Sequence, residues 1–202
     1  MNHKISKINR KLEKELDKER YEHTQGVMYT AAALAMCHGE DVDRALLAGL
    51  LHDCAKCIPA QKKLRLCEKY HLDISAVERD NPSLLHAKLG AYLAGKKYHI
   101  SDQGILYAIK SHTTGRPGMS LLEKIIYIAD YMEPGRAELP NTAKVRQLAF
   151  HDIDECLYCI LEGSLAYLKS RSIPIDMMTE KTYDFYKQQL GKEKYSKSQE
   201  DI

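Results

Sequence analysis

The chain has 202 residues and a net charge of +2, with 30 Lys and Arg against 28 Asp and Glu, a balance that gives no electrostatic case for nucleic-acid binding. The length suits one domain with its own core, and no stretch is long and apolar enough to span a membrane. Met1-Asn2-His3-Lys4 leads into a charged run, so no signal peptide and a cytoplasmic location are expected, with the six Cys as reduced thiols.

The pattern is helical nearly throughout. Residues 1–18 predict a Lys/Glu-rich helix, part of the same domain, with a thin apolar stripe of Ile5, Ile8, Leu12 and Leu16. Its charged face is expected in solvent, with packing on a partner or second subunit open. The next helix runs from about Tyr21 to Cys37 and stops at Gly39. Asp41 caps a third, whose run Ala45-Leu46-Leu47-Ala48-Gly49-Leu50-Leu51 is apolar all round and therefore buried. That helix carries His52-Asp53 and is expected to break at Pro59. Further helices are expected from Ala60 to His71, from Asn81-Pro82-Ser83 through Leu93, and from Ser101-Asp102 to His112. Thr113 to Gly118 is a loop, holding two Gly and a Pro. Ser120–Met132, Thr142–Phe150 and Ile153–Lys169 are helical, Ser172-Ile173-Pro174-Ile175 is an extended link, and a last helix carries Tyr183, Phe185 and Tyr186. The tail 191–202 is expected to be disordered. The expectation is one all-α domain, a single helical bundle over residues 19–190.

The functional argument rests on where His and Asp fall. His52 and Asp53 close the most apolar helix, and Asp130 follows Ile125-Ile126-Tyr127-Ile128-Ala129 on another. Carboxylates there are costly to desolvate unless paired or metal-bound. His23, His86 and His112 also lie on or at the ends of predicted core helices. Imidazoles with two carboxylates suit a first-row divalent metal. A single His among nine is more often structural; six such groups in order on core helices weaken that account. Asp53 has two oxygens with which to bridge two ions or orient the attacking water. Lys56, one turn beyond His52, and Arg20, Arg116 and Arg136 are available for phosphate. The loop Thr113-Thr114-Gly115 offers hydroxyls and backbone N–H groups. Cys54/Cys57 and Cys156/Cys159 form two CxxC pairs in predicted helices, too far apart for a zinc ribbon and expected to be buried, inert thiols.

The chain resembles the HD superfamily at these residues: His, then His-Asp, then a distant Asp, all on helices. It resembles more specifically the bacterial YqeK-type symmetrical bis(5'-nucleosyl)-tetraphosphatases, which cut diadenosine tetraphosphate into two ADP. The likeness runs from about Arg20 to Leu190. Its carriers are Arg20-Tyr21-Glu22-His23, Gly49-Leu50-Leu51-His52-Asp53, Leu85-His86-Ala87-Lys88, His112-Thr113-Thr114-Gly115-Arg116-Pro117 and Asp130-Tyr131-Met132-Glu133-Pro134-Gly135-Arg136. The resemblance implies that His23, His52, Asp53 and Asp130 hold an iron-type metal, one ion or two, with His86 and His112 completing a second site or contacting phosphate. Asp53, Lys56, His86 and His112 are the implied catalytic groups. The implied substrate contacts are Arg20, His23, Lys56, His86, His112, Thr113, Arg136, Ile173 and Pro174, the last two on a stretch that matches the family only loosely. An HD-type nucleotidase or deoxynucleotide phosphohydrolase is the alternative. A homodimer is compatible with the exposed helical stripes.

Overall fold

The structure is a computed structural model that describes the backbone of residues 3–200 and the side chains of residues 3–191. Its elements are α1 (His3–Glu15), α2 (Lys18–His38), α3 (Val42–Leu51), α4 (Ala60–Lys69) and α5 (Ala76–Asp80), then a 3-10 turn (Pro82–Leu85). After these come α6 (His86–Tyr98), α7 (Gln103–Ser111), α8 (Leu121–Met132), α9 (Thr142–Leu148), α10 (Ile153–Ser170) and α11 (Met177–Glu200). No strand occurs among the described residues. The fold is all-α, as expected.

Local chemistry sets the helix starts. Asp41 accepts from Arg44 N ahead of α3, Asp102 from Gly104 N and Ile105 N ahead of α7, and Asp152 from Asp154 N and Glu155 N ahead of α10. Ser120 and Glu123 form a reciprocal capping box on α8. Gly39, left-handed at φ 76°, ends α2.

α3 is the central helix, enclosed by α2, α7 and α8. Its Ala45, Ala48, Leu50 and Leu51 have no exposed surface. A Cβ at Gly49 would lie 2.9 Å from Met28 Cα, so α2 and α3 meet almost backbone to backbone there. That approach sets His52 of one helix against His23 of the other. The α1 stripe is not left for a partner: Ile5, Ile8, Leu12 and Leu16 are buried in the main core of this chain.

Several boundaries differ from the sequence reading. α3 ends at Leu51, well before Pro59. The His52 ring N–H donates to Gly49 O at 2.7 Å, taking an acceptor the next helical turn would use. The chain then continues in tight turns, Cys54 N to Leu51 O and Lys56 N to Asp53 O. Cys54 and Cys57 therefore sit on turns rather than in a helix, and Cys57 is exposed, not buried, its thiol donating to Asp17 Oδ2 at 3.1 Å. Burial pushes the Cys54 and Cys156 thiols up to about 12, which makes them inert. The sequence reading lacked α5, which a Ser75–Glu78 capping box starts. The backbone expected to be disordered from residue 191 continues as helix to Glu200, while its side chains beyond Gly191 and residues 201–202 lie outside the described residues.

Candidate metal centre

Three helix C-termini converge on one point. His52 caps α3, His112 caps α7, and Asp130 and Glu133 sit in the last turn and at the cap of α8. The partial negative charge at each end favours a cation between them. His86, the first residue of α6, and His23 from the first turns of α2 complete the ring. His52, Asp53, His86 and His112 are each at most 4% exposed. The structure thus brings together all six sequence-predicted His and Asp residues.

The imidazoles share one hydrogen-bond pattern. His52, His86 and His112 each direct Nδ1 at the carbonyl three residues back: Gly49 O at 2.7 Å, Ser83 O at 2.6 Å and Ile109 O at 2.7 Å. His23 directs Nδ1 at Glu133 Oε1, 3.0 Å away. Each acceptor requires a proton on Nδ1, so each neutral ring leaves a lone pair on Nε2. Those Nε2 atoms face one another, 3.0 Å apart for His86 and His112 and 3.3 Å apart for His23 and His52. Opposed lone pairs beside carboxylates repel unless a cation lies among them. This is the arrangement of a metal site whose ligands are oriented from behind.

Asp53 lies between two halves of this ring. Its Oδ2 is 3.5 Å from His52 Nε2 and 4.0 Å from His23 Nε2, while its Oδ1 is 3.2 Å from His86 Nε2 and 3.6 Å from His112 Nε2. Oδ1 is buried without a hydrogen-bond partner, an open valence that a cation would fill. Asp130 Oδ1 is 3.0 Å from His23 Nε2 and 3.7 Å from His52 Nε2. Ligand atoms of His23, His52 and Asp130 lie within 4.8 Å of one another, as do those of His52, Asp53 and His112. These two groups, which share His52, are the ones whose donors could hold a divalent ion.

Electrostatics agree with ionised carboxylates. Burial alone would raise the Asp53 pKa, but the His52, His112 and His86 imidazoles that surround it outweigh burial and hold the carboxyl well below its usual range. Asp130 is lowered in the same way, burial being overcome by His23, His52, His112 and Arg136. Burial moves His86 down to about 4, with Asp53 opposing and His112 and Lys56 assisting, so its lone pair is free at neutral pH. For His52 the two acids win over burial and raise the pKa; a divalent cation competes with that proton for the same lone pair.

The predicted cations divide. Arg20 donates to Asp53 Oδ2 at 2.8 Å, and Arg136 to Asp130 Oδ1 at 2.5 Å. Lys56 Nζ stands 3.3 Å from His86 Nε2 and 3.9 Å from Asp53 Oδ1. Arg116 is not a free phosphate ligand: it pairs in bidentate fashion with buried Glu123, at 2.7 and 2.6 Å. Two cavities flank the ring. One, of about 700 Å³, is lined by Arg20, His23, Glu133 and Arg136; the other, of about 280 Å³, by Thr113, Thr114, Asp176 and Met178. Thr113 Oγ1 is 3.4 Å from His86 Nε2. Ile173 and Pro174 lie on the link before α11 and do not line the second cavity, whose wall from that stretch is Asp176 and Met178.

Two residues escaped the sequence reading. Glu133, read there as part of a turn, holds His23 from across 110 positions of sequence. Glu123, read as a helix residue, also accepts from Ser111 Oγ at 3.1 Å and so ties the end of α7 to the loop after His112. The capping pattern Ser120-x-x-Glu123 is the signal that could have found Glu123.

Comparison with known proteins agrees with this architecture. A Bacillus subtilis protein named symmetrical bis(5'-nucleosyl)-tetraphosphatase is 38% identical over 86% of this chain and 92% of its own. A Halalkalibacterium halodurans protein of the same name is 40% identical over 84% and 89%. A crystal structure from Clostridium acetobutylicum, described as a predicted HD superfamily hydrolase involved in NAD metabolism, superposes with a TM-score of 0.87 at 38% identity, covering 91% of this chain and 97% of that one. The HD domain profile matches residues 20–135, the span that holds every ligand candidate. This chain belongs to the HD domain family.

Proposed function

We propose that the chain hydrolyses diadenosine tetraphosphate and related dinucleoside polyphosphates symmetrically, releasing two ADP. The observation that carries a hydrolytic metal centre is the set of four inward Nε2 lone pairs around Asp53, whose Oδ1 is buried and unpartnered. The substrate class is supported by the names of the Bacillus and Halalkalibacterium relatives. The ion in this reading is iron, held by His23, His52, Asp53 and Asp130, with His86 and His112 serving a second ion or the phosphates; imidazole and carboxylate donors suit it. The six free thiols fit a cytoplasmic location.

A divalent cation bound there supplies Lewis acidity to the phosphates and acidifies water. The chain's own residues do the positioning. Asp53 spans both halves of the ring and orients the attacking water toward phosphorus. Lys56, partly exposed at the mouth, meets a non-bridging oxygen. Arg20 and Arg136 line the larger cavity; once Asp53 and Asp130 are neutralised, their guanidiniums turn to the phosphates. Thr113, beside His86, offers a hydroxyl on the opposite side.

The test is metal analysis of fresh protein with chromatography of the products from diadenosine tetraphosphate. Two ADP is the expected pattern. ATP plus AMP, or free phosphate from a nucleoside monophosphate, would overturn the symmetrical reading. Asp53→Asn should lower turnover by about a hundredfold or more, because it removes an electrostatic group at the reacting phosphate; wild-type rates in that variant would sink the assignment.

A further inference from the structure

We infer that the groove lined by Tyr29, Met132 and Phe150 is the seat of the second nucleoside of a dinucleoside polyphosphate. The inference rests on the proposed function. A substrate of that class carries a base at each end, and a cut at its middle leaves one base on each side of the centre. The two sides of Asp53 differ in what they lead to. From Oδ1 the path runs past His86 and Thr113 to the cavity at Asp176 and Met178, beside the stretch expected to contact a nucleotide. From Oδ2 it runs past Arg20 and His23, and no residue is yet assigned to a base there.

On that side the cleft does not end at the phosphates. Gly26 and Pro134 line both the cleft and a second cavity of about 560 Å³, so the two adjoin. The lining changes along the way. Near the centre it includes Arg20, Glu22, His23, Glu133 and Arg136; beyond Gly26 it becomes Tyr29, Ala33, Met132 and Phe150, with Gln25, Thr30 and Arg146 as polar groups. A charged cleft beside an aromatic shelf matches a polyphosphate that ends in a base. Tyr29 is 56% exposed and Phe150 42%, so the fold itself leaves both rings uncovered. Base stacking is the interaction such rings offer. The reach is right as well: His23 and Thr30 are seven residues apart on α2, about 10 Å along the axis, the same order as a diphosphate–ribose arm.

The experiment compares diadenosine tetraphosphate with adenosine 5'-tetraphosphate, which has the phosphates and only one nucleoside, on the metal-loaded protein. A Tyr29→Ala/Phe150→Ala double variant should raise the KM for the dinucleoside by about tenfold, the scale of a lost base–aromatic stack. Its KM for the single-nucleoside compound should stay unchanged. Tyr29→Phe, which keeps the ring, should retain most of the wild-type preference. Equal losses on both compounds would mean a structural defect, and an unchanged KM with a shift in sedimentation would mean a subunit interface; either overturns the inference. Wild-type protein that fails to cut the dinucleoside at its middle would overturn the proposed function itself, and this inference with it.

Discussion

His52, His86 and His112 each use one ring nitrogen for the fold and leave the other for chemistry. Nδ1 binds a carbonyl at the end of a helix or 3-10 turn, and that bond dictates where the Nε2 lone pair points. His23 is different, because it lies inside α2, where backbone carbonyls are already taken. Its Nδ1 partner is the Glu133 carboxylate, and Gly26 makes room for it: a Cβ there would lie 2.2 Å from Glu133 Oε2. Two substitutions should therefore converge. Gly26→Ala, which displaces Glu133, and Glu133→Ala, which deletes its carboxylate, should each weaken metal binding by about 10- to 100-fold. Equilibrium dialysis against the metal reads this directly, with circular dichroism confirming that the helices persist. Unchanged affinity in both variants would show that His23 needs no orienting partner. The converging His and Asp side chains were legible in the sequence because acids and imidazoles are conspicuous on apolar helices; the role of Glu133 was not, because a carboxylate in a Pro-Gly turn resembles ordinary surface polarity until its distant partner is known.

At the scale of the helices, caps were readable and interruptions were not. Asp41, Asp102 and Ser120 announce α3, α7 and α8, since short polar side chains satisfy the free N–H groups at helix starts. The end of α3 at Leu51 was hidden, because an apolar run says nothing about a ring nitrogen competing for Gly49 O. Nor did composition show how the loop after His112 is held. Glu123 does this: Arg116 grips both its oxygens, Ser111 donates to one, and Ser120 N to the other at 2.8 Å. Burial would raise the Glu123 pKa, but Arg116 and Ser120 outweigh it and bring it below the ordinary 4.5. The unfolded chain therefore takes up a proton at a higher pH than the folded one. The stabilisation is complete above about pH 4.5 and is lost as pH falls through the lower, folded value. Glu123→Gln should cost about 1–2 kcal/mol at neutral pH, less than a fully buried pair because Arg116 is half-exposed. Denaturant melts at neutral pH and below pH 4 check it: the wild-type and variant curves should approach each other in acid. A constant gap across that range would exclude a role for the Glu123 charge.

Across the whole molecule, the centre joins segments far apart in sequence. α2, the α3 turn, α6, the end of α7 and the end of α8 all supply candidate ligands, and α3 lies buried among α2, α7 and α8. Without a cation this junction holds opposed lone pairs and ionised carboxylates, relieved in part by Arg20, Arg136 and Lys56. A bound ion should therefore stabilise the fold, not merely occupy it. An ion present at about a thousandfold over its dissociation constant adds about 4 kcal/mol. For a domain of this size that shifts Tm by about 8–16 °C. Calorimetry of chelator-treated protein before and after adding ferrous iron under anaerobic conditions measures the shift, and EDTA should reverse it. His52→Ala, which removes a ligand shared by both three-residue clusters, should abolish the response, whereas Lys56→Ala should keep it, because an ammonium cannot ligate. The response should also fade as pH falls, because Asp53 and Asp130 raise the His52 pKa despite its burial and its proton competes with the ion for the same lone pair. A Tm indifferent to added metal, in protein that still binds it by dialysis, would mean that the bundle is already complete and the ions serve chemistry alone.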